Sequence, residues 1–379
     1  MQKKLIALAV AGLVSGGAFA QSNVTISGAM DLGLEAISAN GATVANTNAT
    51  SRTRVTNNTS WIRFSGAEDL GGGLKAVFQI EQDVNGDTTG GAFASRNTYV
   101  GLAGGFGTAI IGRYDVHYTS HMGVVDWGSS GAMPHAANTL NIIGQVNGVG
   151  VIGGRLDNVI AYISPSFGGL TAQLGYTAGS ESTTPNLPAK DNAWNLFLKY
   201  GNGPIGAFWS HTQVNHSGAA VAVAAVANGP GVLGSVAAAA TSGTDVKADR
   251  LGAAYTFPMG LKIGLIYDHT KAENAAGLAA KRTAWALPIS YKAGANNFYF
   301  SYAKAGDVSN AAGNVANTGN SMYALGYAYD MSKRTQVGVS YSRISNDSAA
   351  NLDFWTRGSG NVAAGADPAS FYMGIYHSF

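Results

Sequence analysis

The chain has 379 residues, of which 12% are charged, 52 are glycine and none is cysteine. Residues 1–20 hold two of the 23 lysines and arginines and none of the 21 aspartates and glutamates, which leaves 21 charges of each sign in residues 21–379. This balance excludes a basic nucleic-acid-binding protein. The lack of cysteine excludes a disulfide-stapled fold, and no stretch after residue 20 is apolar for long enough to form a membrane-spanning helix.

The first twenty residues read as a secretory signal. Lys3 and Lys4 give the positive start, residues 5–14 form a short apolar stretch, and Ala18-Phe19-Ala20 matches a small-residue cleavage site. We therefore expect a signal peptide at 1–20 and one transmembrane β-barrel domain at 21–379.

After residue 20, apolar and polar residues alternate in many short segments. Residues 74–81 illustrate this, because Leu74, Phe78 and Ile80 share one parity and Lys75 and Glu81 share the other. Alternation places successive side chains on opposite faces of a strand. The same pattern predicts strands at 24–34, 170–177, 194–200, 261–270, 283–291 and 370–379, with a bulge at Pro288.

The connectors between these segments alternate in length. Seven short turns are separated by eight long, polar connectors near 36–52, 85–95, 115–156, 179–191, 214–247, 272–281, 306–320 and 345–369. This arrangement predicts an all-β fold, a 16-stranded antiparallel transmembrane β-barrel with both termini on the periplasmic side. A β-sandwich is the alternative, but sixteen strands with one polar face do not pack as a sandwich core.

The last strand ends on Phe379 without a capping segment. Its free edge needs a partner, and in a closed barrel that partner is the first strand. We expect Phe379 to act as the barrel assembly signal.

Several segments resemble general-diffusion porins of beta-proteobacterial outer membranes, in order along the whole chain after the signal. They are residues 65–79 (SGAEDLGGGLKAVFQ), 96–102 (RNTYVGL), 105–108 (GFGT), 112–113 (GR), 162–167 (YISPSF), 332–335 (SKRT) and 374–379 (GIYHSF). The resemblance implies a homotrimer of water-filled barrels, each narrowed by an inward-folded third external loop. The sequence itself allows a second placement for residues 115–156, over the outer mouth.

Charged residues at a narrow point set the selectivity of such a channel. We expect Arg63, Arg113 and Arg155 at the constriction, with Arg96 as a fourth arginine and Asp126 as the acidic residue inside the third loop. Arg113 occupies the position where the family resemblance implies a wall arginine. The chain departs from the family at Trp61, where an arginine is usual, and at Ser65, where a lysine is common. Because the loop is almost free of carboxylates, we expect a weak anion preference.

Other charged residues have the parity of the polar face and should line the lumen away from the constriction. They are Asp31, Lys75, Glu81, Lys199, Lys262 and Asp268.

The function that fits these features is passive diffusion of ions and small hydrophilic solutes through an outer-membrane pore, without enzymatic activity, cofactor or metal. The expected partners are two further copies of the chain, outer-membrane lipids and lipopolysaccharide, and no nucleic acid. A substrate-specific channel on the same barrel is the main alternative, followed by an outer-membrane enzyme and an adhesin. His117 and His121 have the spacing of a helical metal pair, but with His135 they more simply give the third loop a pH response.

Overall fold

The computed structural model describes residues 23–115, 125, 145–146, 149–150, 155–177, 192–215, 245–273, 279–354 and 362–379. Sixteen antiparallel strands pair in chain order to form one closed barrel, which confirms the predicted fold class. Among these residues, no helix is long and apolar enough to cross a membrane. The barrel strands are β1 Asn23–Asn40, β2 in two segments Ala49–Asn57 and Trp61–Gly71, β3 Leu74–Asp83, β4 Thr98–Gly104, β5 Gly107–Tyr114, β6 Leu156–Ile163, β7 Leu170–Thr177, β8 Asn192–Asn202, β9 Ile205–Asn215, β10 Asp245–Thr256, β11 Leu261–Glu273, β12 Ala279–Ala293, β13 Asn296–Ala305, β14 Asn320–Asp330, β15 Thr335–Asn346 and β16 Asp367–Ser378. Among the described residues, the long connectors also contain the short strands Gln145–Val146, Val149–Gly150, Val308–Asn310 and Gly313–Val315.

The barrel closes where the first strand meets the last. β1 pairs with β16 from Ala29 opposite Ser378 to Asn40 opposite Asp367. Beyond this ladder, Gly28 and Phe379 exchange two backbone hydrogen bonds, each 3.0 Å long. The seam therefore uses the chain up to its final residue and leaves neither terminal strand with a free edge.

The interior of the barrel is polar and its exterior is apolar. Inward residues such as Glu81, Asn195 and Asp268 are almost fully buried, whereas outward residues such as Ile26 and Leu325 expose more than half of their surface. A lipid surrounding makes so many exposed apolar side chains favourable. The alternation seen in the sequence thus separates a lipid-facing wall from a lumen.

The second strand is interrupted at residues 58–60. Asn58 donates to the Asp31 carboxylate at 2.8 Å, Thr59 donates to the same oxygen at 3.2 Å, and the Ser60 hydroxyl accepts from the Asp31 backbone at 2.8 Å. β1 bridges the interruption, because it pairs with both segments of β2. The first segment, Ala49–Asn57, begins within the long connector that the sequence predicted near residues 36–52.

The bulge expected at Pro288 is absent, which corrects that prediction. The registers of β12 with β11 and with β13 stay constant along Pro288. The strand instead omits ladder pairing with β11 beside Gly264 and Leu265. The sheet therefore accommodates Pro288, which has no backbone N–H group to donate, without an extra residue in β12.

Val125, a described residue of the third loop, lies inside the barrel. Val125 is 1% exposed and packs in the lumen with Phe197 and Ile266. The Cγ1 atom of Val125 lies 2.8 Å from the position that a Cβ would take on Gly264 of β11. The short strand Gln145–Val146 also lies against β11 and β12. The loop that begins beside β5 therefore contacts the distant wall formed by β11 and β12 at these described residues.

Candidate channel constriction

The candidate site is a cluster of charged side chains on the wall formed by β2, β3 and the bases of loops 2 and 3 (residues 84–97 and 115–155). The register between β2 and β3 forms the centre of this cluster, because it places Arg63 of β2 directly opposite Glu81 of β3. Paired residues on neighbouring antiparallel strands point to the same face, so both side chains enter the lumen.

Glu81 is the hub of this cluster. Its Oε2 atom accepts from Arg63 Nε at 2.7 Å and lies 2.5 Å from Arg63 Nη2. Arg96 forms an ion pair with the other carboxylate oxygen, and Arg155 Nη2 lies 3.9 Å from it. The Gln79 amide donates to Oε2 at 3.2 Å. Three arginines from separate parts of the chain thus share one carboxylate.

Two further carboxylates hold the arginines that come from the loops. Arg96 Nη1 lies 2.8 Å from Asp83 Oδ1, and Arg155 Nη2 lies 3.5 Å from Asp115 Oδ2. The Asn97 side chain connects these groups, because its Oδ1 accepts from Arg155 Nε at 3.1 Å and its Nδ2 donates to Asp115 Oδ2 at 3.1 Å. These contacts therefore connect both ends of loop 3, at Asp115 and Arg155, to Asn97 at the end of loop 2.

The arginines are more accessible than the carboxylate that they share. The Glu81 side chain is 1% exposed, whereas that of Arg63 is 35% exposed. Formal charges within the cluster cancel, since Glu81, Asp83 and Asp115 balance the three arginines. A passing ion nevertheless meets guanidinium groups before it meets the central carboxylate.

The protonation of the two loop arginines follows from their surroundings. Burial opposes the charge on Arg96, but hydrogen bonds from its guanidinium to Asp83 and Glu81 outweigh this effect and raise its pKa. Burial dominates at Arg155 and lowers its pKa, although the nearby carboxylate of Asp115 acts in the opposite direction. Both guanidinium groups stay cationic at neutral pH, because arginine is not deprotonated in proteins under ordinary conditions.

Trp61 supports Arg63 from within the lumen. The guanidinium carbon of Arg63 lies 4.6 Å from the centre of the Trp61 ring, in a cation–π contact. The residue that departs from the family pattern in the sequence therefore packs beneath the arginine two positions later.

Arg113 does not belong to this cluster, which corrects its expected place in the constriction. On β5 it shares a parity with the outward Ile111, which is 57% exposed, and not with the buried Ile110. Its guanidinium forms an ion pair with Asp157, a residue whose side chain is 71% exposed. Arg113 therefore lies on the outer face of the barrel near the long loops.

The other expected residues fall into three groups. Asp126 and the histidines His117, His121 and His135 lie outside the described residues. Lys75, Lys199 and Lys262 have inward parity near the end of the barrel that carries the short turns. Asp31 and Asp268 also point inward but are buried in the wall, Asp268 against Arg250 at 3.1 Å.

Sequence reasoning missed an ion pair above the cluster. Arg54, on the first segment of β2, forms a 2.7 Å ion pair with Glu35, which also accepts a 2.7 Å hydrogen bond from Ser370. Arg52 has the same inward parity two residues away. The sequence could have indicated this strand, because Arg52 and Arg54 share one parity and the apolar Val55 has the other. The many polar residues around them instead favoured the prediction of a loop.

A closed sixteen-stranded barrel with an apolar exterior and a charged lumen defines an integral outer-membrane channel. The model of the family described as "Gram-negative porin" matches residues 7–349. The chain belongs to this family and resides in the outer membrane, where its members allow passive diffusion of solutes.

Several known proteins are similar along most of the chain. Outer membrane porin protein 32 of Delftia acidovorans is 29% identical over 390 residues and is covered completely, as is this chain. Major outer membrane protein P.IA of Neisseria meningitidis serogroup C is 28% identical over 90% of this chain and 93% of its own. The solved structure of an anion-selective porin from Comamonas acidovorans aligns with a TM-score of 0.73 at 27% identity, over 95% of this chain and 100% of its own. An outer membrane protein of Vibrio cholerae in trimer form shares the fold at a TM-score of 0.64, with 14% identity over 94% and 99% of the two chains.

Proposed function

We propose that this porin is a general-diffusion channel with a weak preference for anions, set by Arg63, Arg96 and Arg155. The observation that carries the proposal is the burial of Glu81 beneath these arginines. A counter-charge that is withdrawn from the lumen keeps the guanidinium groups in place, and ions meet Arg63 rather than Glu81 at the central ion pair. The similarity to a porin described as anion-selective supports the same direction.

Arg63→Gln is the most direct test, because Arg63 is the most exposed of the three side chains. In planar bilayers under a KCl gradient, we expect the wild-type reversal potential to indicate chloride preference and that of Arg63→Gln to move toward the value of a non-selective pore. Arg113→Gln removes an equal charge from the outer face and should leave the potential unchanged. A cation-selective wild-type channel would overturn the proposal.

Passage through such a pore requires no covalent step and no cofactor. A substrate-specific channel would instead show conductance that saturates when one solute is added. We therefore expect conductance to follow bulk conductivity for several unrelated salts.

We also propose that the protein is a homotrimer and that residues 1–20 are removed on export. Trimeric assembly predicts that channels insert in three equal conductance steps and that the unheated protein migrates as a trimer in SDS gels. Export processing predicts that the mass of the purified protein corresponds to a first residue at Gln21. Single steps in every insertion, or a mass that includes the first twenty residues, would contradict these two expectations.

A further inference from the structure

The arginine at the centre of the constriction lies against an aromatic ring that faces the lumen. Trp61 and Arg63 share the inward parity of β2, and the guanidinium carbon of Arg63 lies over the Trp61 ring, 4.6 Å from its centre. Both residues are partly exposed. A solute at this point therefore meets a cation and an aromatic ring side by side.

The Arg63 guanidinium uses only part of its hydrogen-bonding capacity on the wall. Its Nε and Nη2 atoms lie 2.7 and 2.5 Å from Oε2 of Glu81. Nη1 takes no part in these two contacts, and the Arg63 side chain is 35% exposed. A hydrogen bond from a guanidinium to a carboxylate is about 2.8 Å long, so a carboxylate held at Nη1 would bring the group attached to it next to the Trp61 ring.

Two tyrosines extend the aromatic surface toward the short turns. Tyr99 of β4 is the direct partner of Gln79, which lies one inward position from Glu81 along β3. The Tyr99 hydroxyl donates to Gln79 Oε1 at 3.3 Å, and its ring meets that of Tyr114 edge to face, with ring centres 5.5 Å apart. Aromatic rings thus lie on both sides of Arg63 along the direction of passage, with Trp61 toward the long loops.

The carboxylates closest to Trp61 in the register are paired with arginines. Asp83 is the direct partner of Trp61 across β2 and β3, and it lies 2.8 Å from Arg96 Nη1. Glu81 is 1% exposed and is held by Arg63. The negative charges beside the ring are therefore compensated, and an organic anion can approach Trp61 at the side of Arg63.

We propose that the constriction binds aromatic carboxylates, of which benzoate is the simplest, in preference to aliphatic carboxylates of the same charge and similar size. The carboxylate accepts a hydrogen bond from Arg63, and the ring packs against Trp61, because aromatic pairs gain free energy beyond that of area burial. This proposal rests on the proposed function, since it takes Arg63 to line the path of the anions. It adds a weak preference among organic anions to general diffusion.

The test compares benzoate with cyclohexanecarboxylate as blockers of the chloride current in planar bilayers. Both anions carry a single carboxylate on a ring with the same number of carbon atoms, but only benzoate is aromatic. In the wild type we expect benzoate to halve the current at about one-fifth of the concentration that cyclohexanecarboxylate requires, a difference typical of one aromatic pair. Equal potency of the two anions in the wild type would overturn the proposal.

Variants at position 61 assign the effect to the ring. Trp61→Leu should remove the difference between the two anions, whereas Trp61→Phe should retain most of it. The matched control is Phe64→Leu, which replaces an aromatic residue of β2 beside the outward Ile26 and should behave as the wild type. A fivefold difference that persists in Trp61→Leu would overturn the role of Trp61.

The chloride preference is measured on the same channels, from the reversal potential under a KCl gradient. Trp61→Leu keeps Arg63, Arg96 and Arg155, so we expect it to keep both the wild-type reversal potential and an open channel, which shows that the variant is folded. A cation-selective wild type would overturn the proposed function, whereas equal block by the two carboxylates in an anion-selective wild type would overturn the aromatic preference alone.

Discussion

Glu81 shows how one residue can serve both stability and selectivity. A carboxylate that is 1% exposed is costly to bury unless it is paired, and here three guanidinium groups share that role. In return, the carboxylate holds arginines from β2, loop 2 and loop 3 at one point of the wall. The charge on Glu81 therefore limits the anion preference that these arginines create.

Replacing Glu81 with glutamine should increase the anion preference and lower the stability of the barrel. The amide keeps the shape but removes the negative charge, so the arginines present an uncompensated positive field. Loss of the charged hydrogen bonds should lower the free energy of unfolding by about 1–3 kcal/mol. Reversal potentials and urea unfolding in micelles measure the two effects, and the exposed Glu68→Gln is the matched control. An unchanged reversal potential would show that Glu81 does not influence the permeating ions.

Gly33 is a second residue whose identity is set by a close contact. A Cβ at this position would lie 2.4 Å from Cζ of Tyr372 and 2.6 Å from the backbone oxygen of Met373. Tyr372 itself is fully buried at the seam between β1 and β16. Glycine is therefore the residue that allows the tyrosine ring to lie flat across the first strand.

Gly33→Ala should destabilise the seam by about 1–3 kcal/mol, the usual cost of overpacking a filled interior. Urea unfolding of the refolded barrel measures this loss. Gly105→Ala serves as the control, because a Cβ on Gly105 would have no neighbour within 4 Å. Equal urea midpoints of unfolding for Gly33→Ala and Gly105→Ala would mean that the ring of Tyr372 has room to move aside.

At the scale of elements, Val125 brings the third loop into contact with the wall formed by β11 and β12. Val125 rests against Gly264, where the lack of a side chain leaves space for it. Pro288 of β12 borders the same space, with its Cγ 3.1 Å from the position of a Cβ on Gly264. β11 and β12 thus form a shallow seat for the loop.

Gly264→Val should displace the third loop from this seat and widen the channel. We expect a larger single-channel conductance and more current noise than in the wild type. Leu265→Ala changes the outward face of the same strand and should leave both quantities unchanged. Wild-type conductance in Gly264→Val would indicate that other contacts position the loop.

Alternation in the sequence predicted most of the strands, because lipid and water impose opposite preferences on the two faces, and the alternating lengths of the connectors predicted the number of strands and the closed barrel. It failed at Ala49–Asn57, where polar residues occupy both faces of the strand. It could not orient Arg113, because β5 carries Ile110 on its inner face and Ile111 on its outer face. The sequence also could not predict the contacts of Asp83 with Arg96 and of Asp115 with Arg155, because they depend on how loops 2 and 3 are placed in space.

At the scale of the whole molecule, Phe379 completes the barrel. Its backbone bonds Gly28, and its ring occupies the space that a side chain on Gly28 would need, with Cζ 2.5 Å from the position of a Cβ. The side chain is 47% exposed, so about half of it packs against the wall. The last residue therefore fastens the outer surface of the seam.

Phe379→Ser should reduce the fraction of protein that assembles, because about 1 kcal/mol or more of apolar contact is lost at the closing step. The measurement is the share of unheated outer-membrane protein that migrates as folded barrel in SDS gels. Phe106→Ser removes an exposed aromatic side chain from the turn before β5 and is the control. Full assembly of Phe379→Ser would exclude the terminal aromatic residue as an assembly signal.

The seam also imposes an order in time. Residue 29 pairs with residue 378, so the strand that is synthesised and exported first obtains one of its neighbours only after nearly all of the chain has followed. Contacts between such distant residues form slowly, and an unpaired strand edge invites aggregation in the meantime. The open edge of β1 must therefore be shielded until β16 arrives, because the barrel cannot close before the twelve residues of that strand are in place.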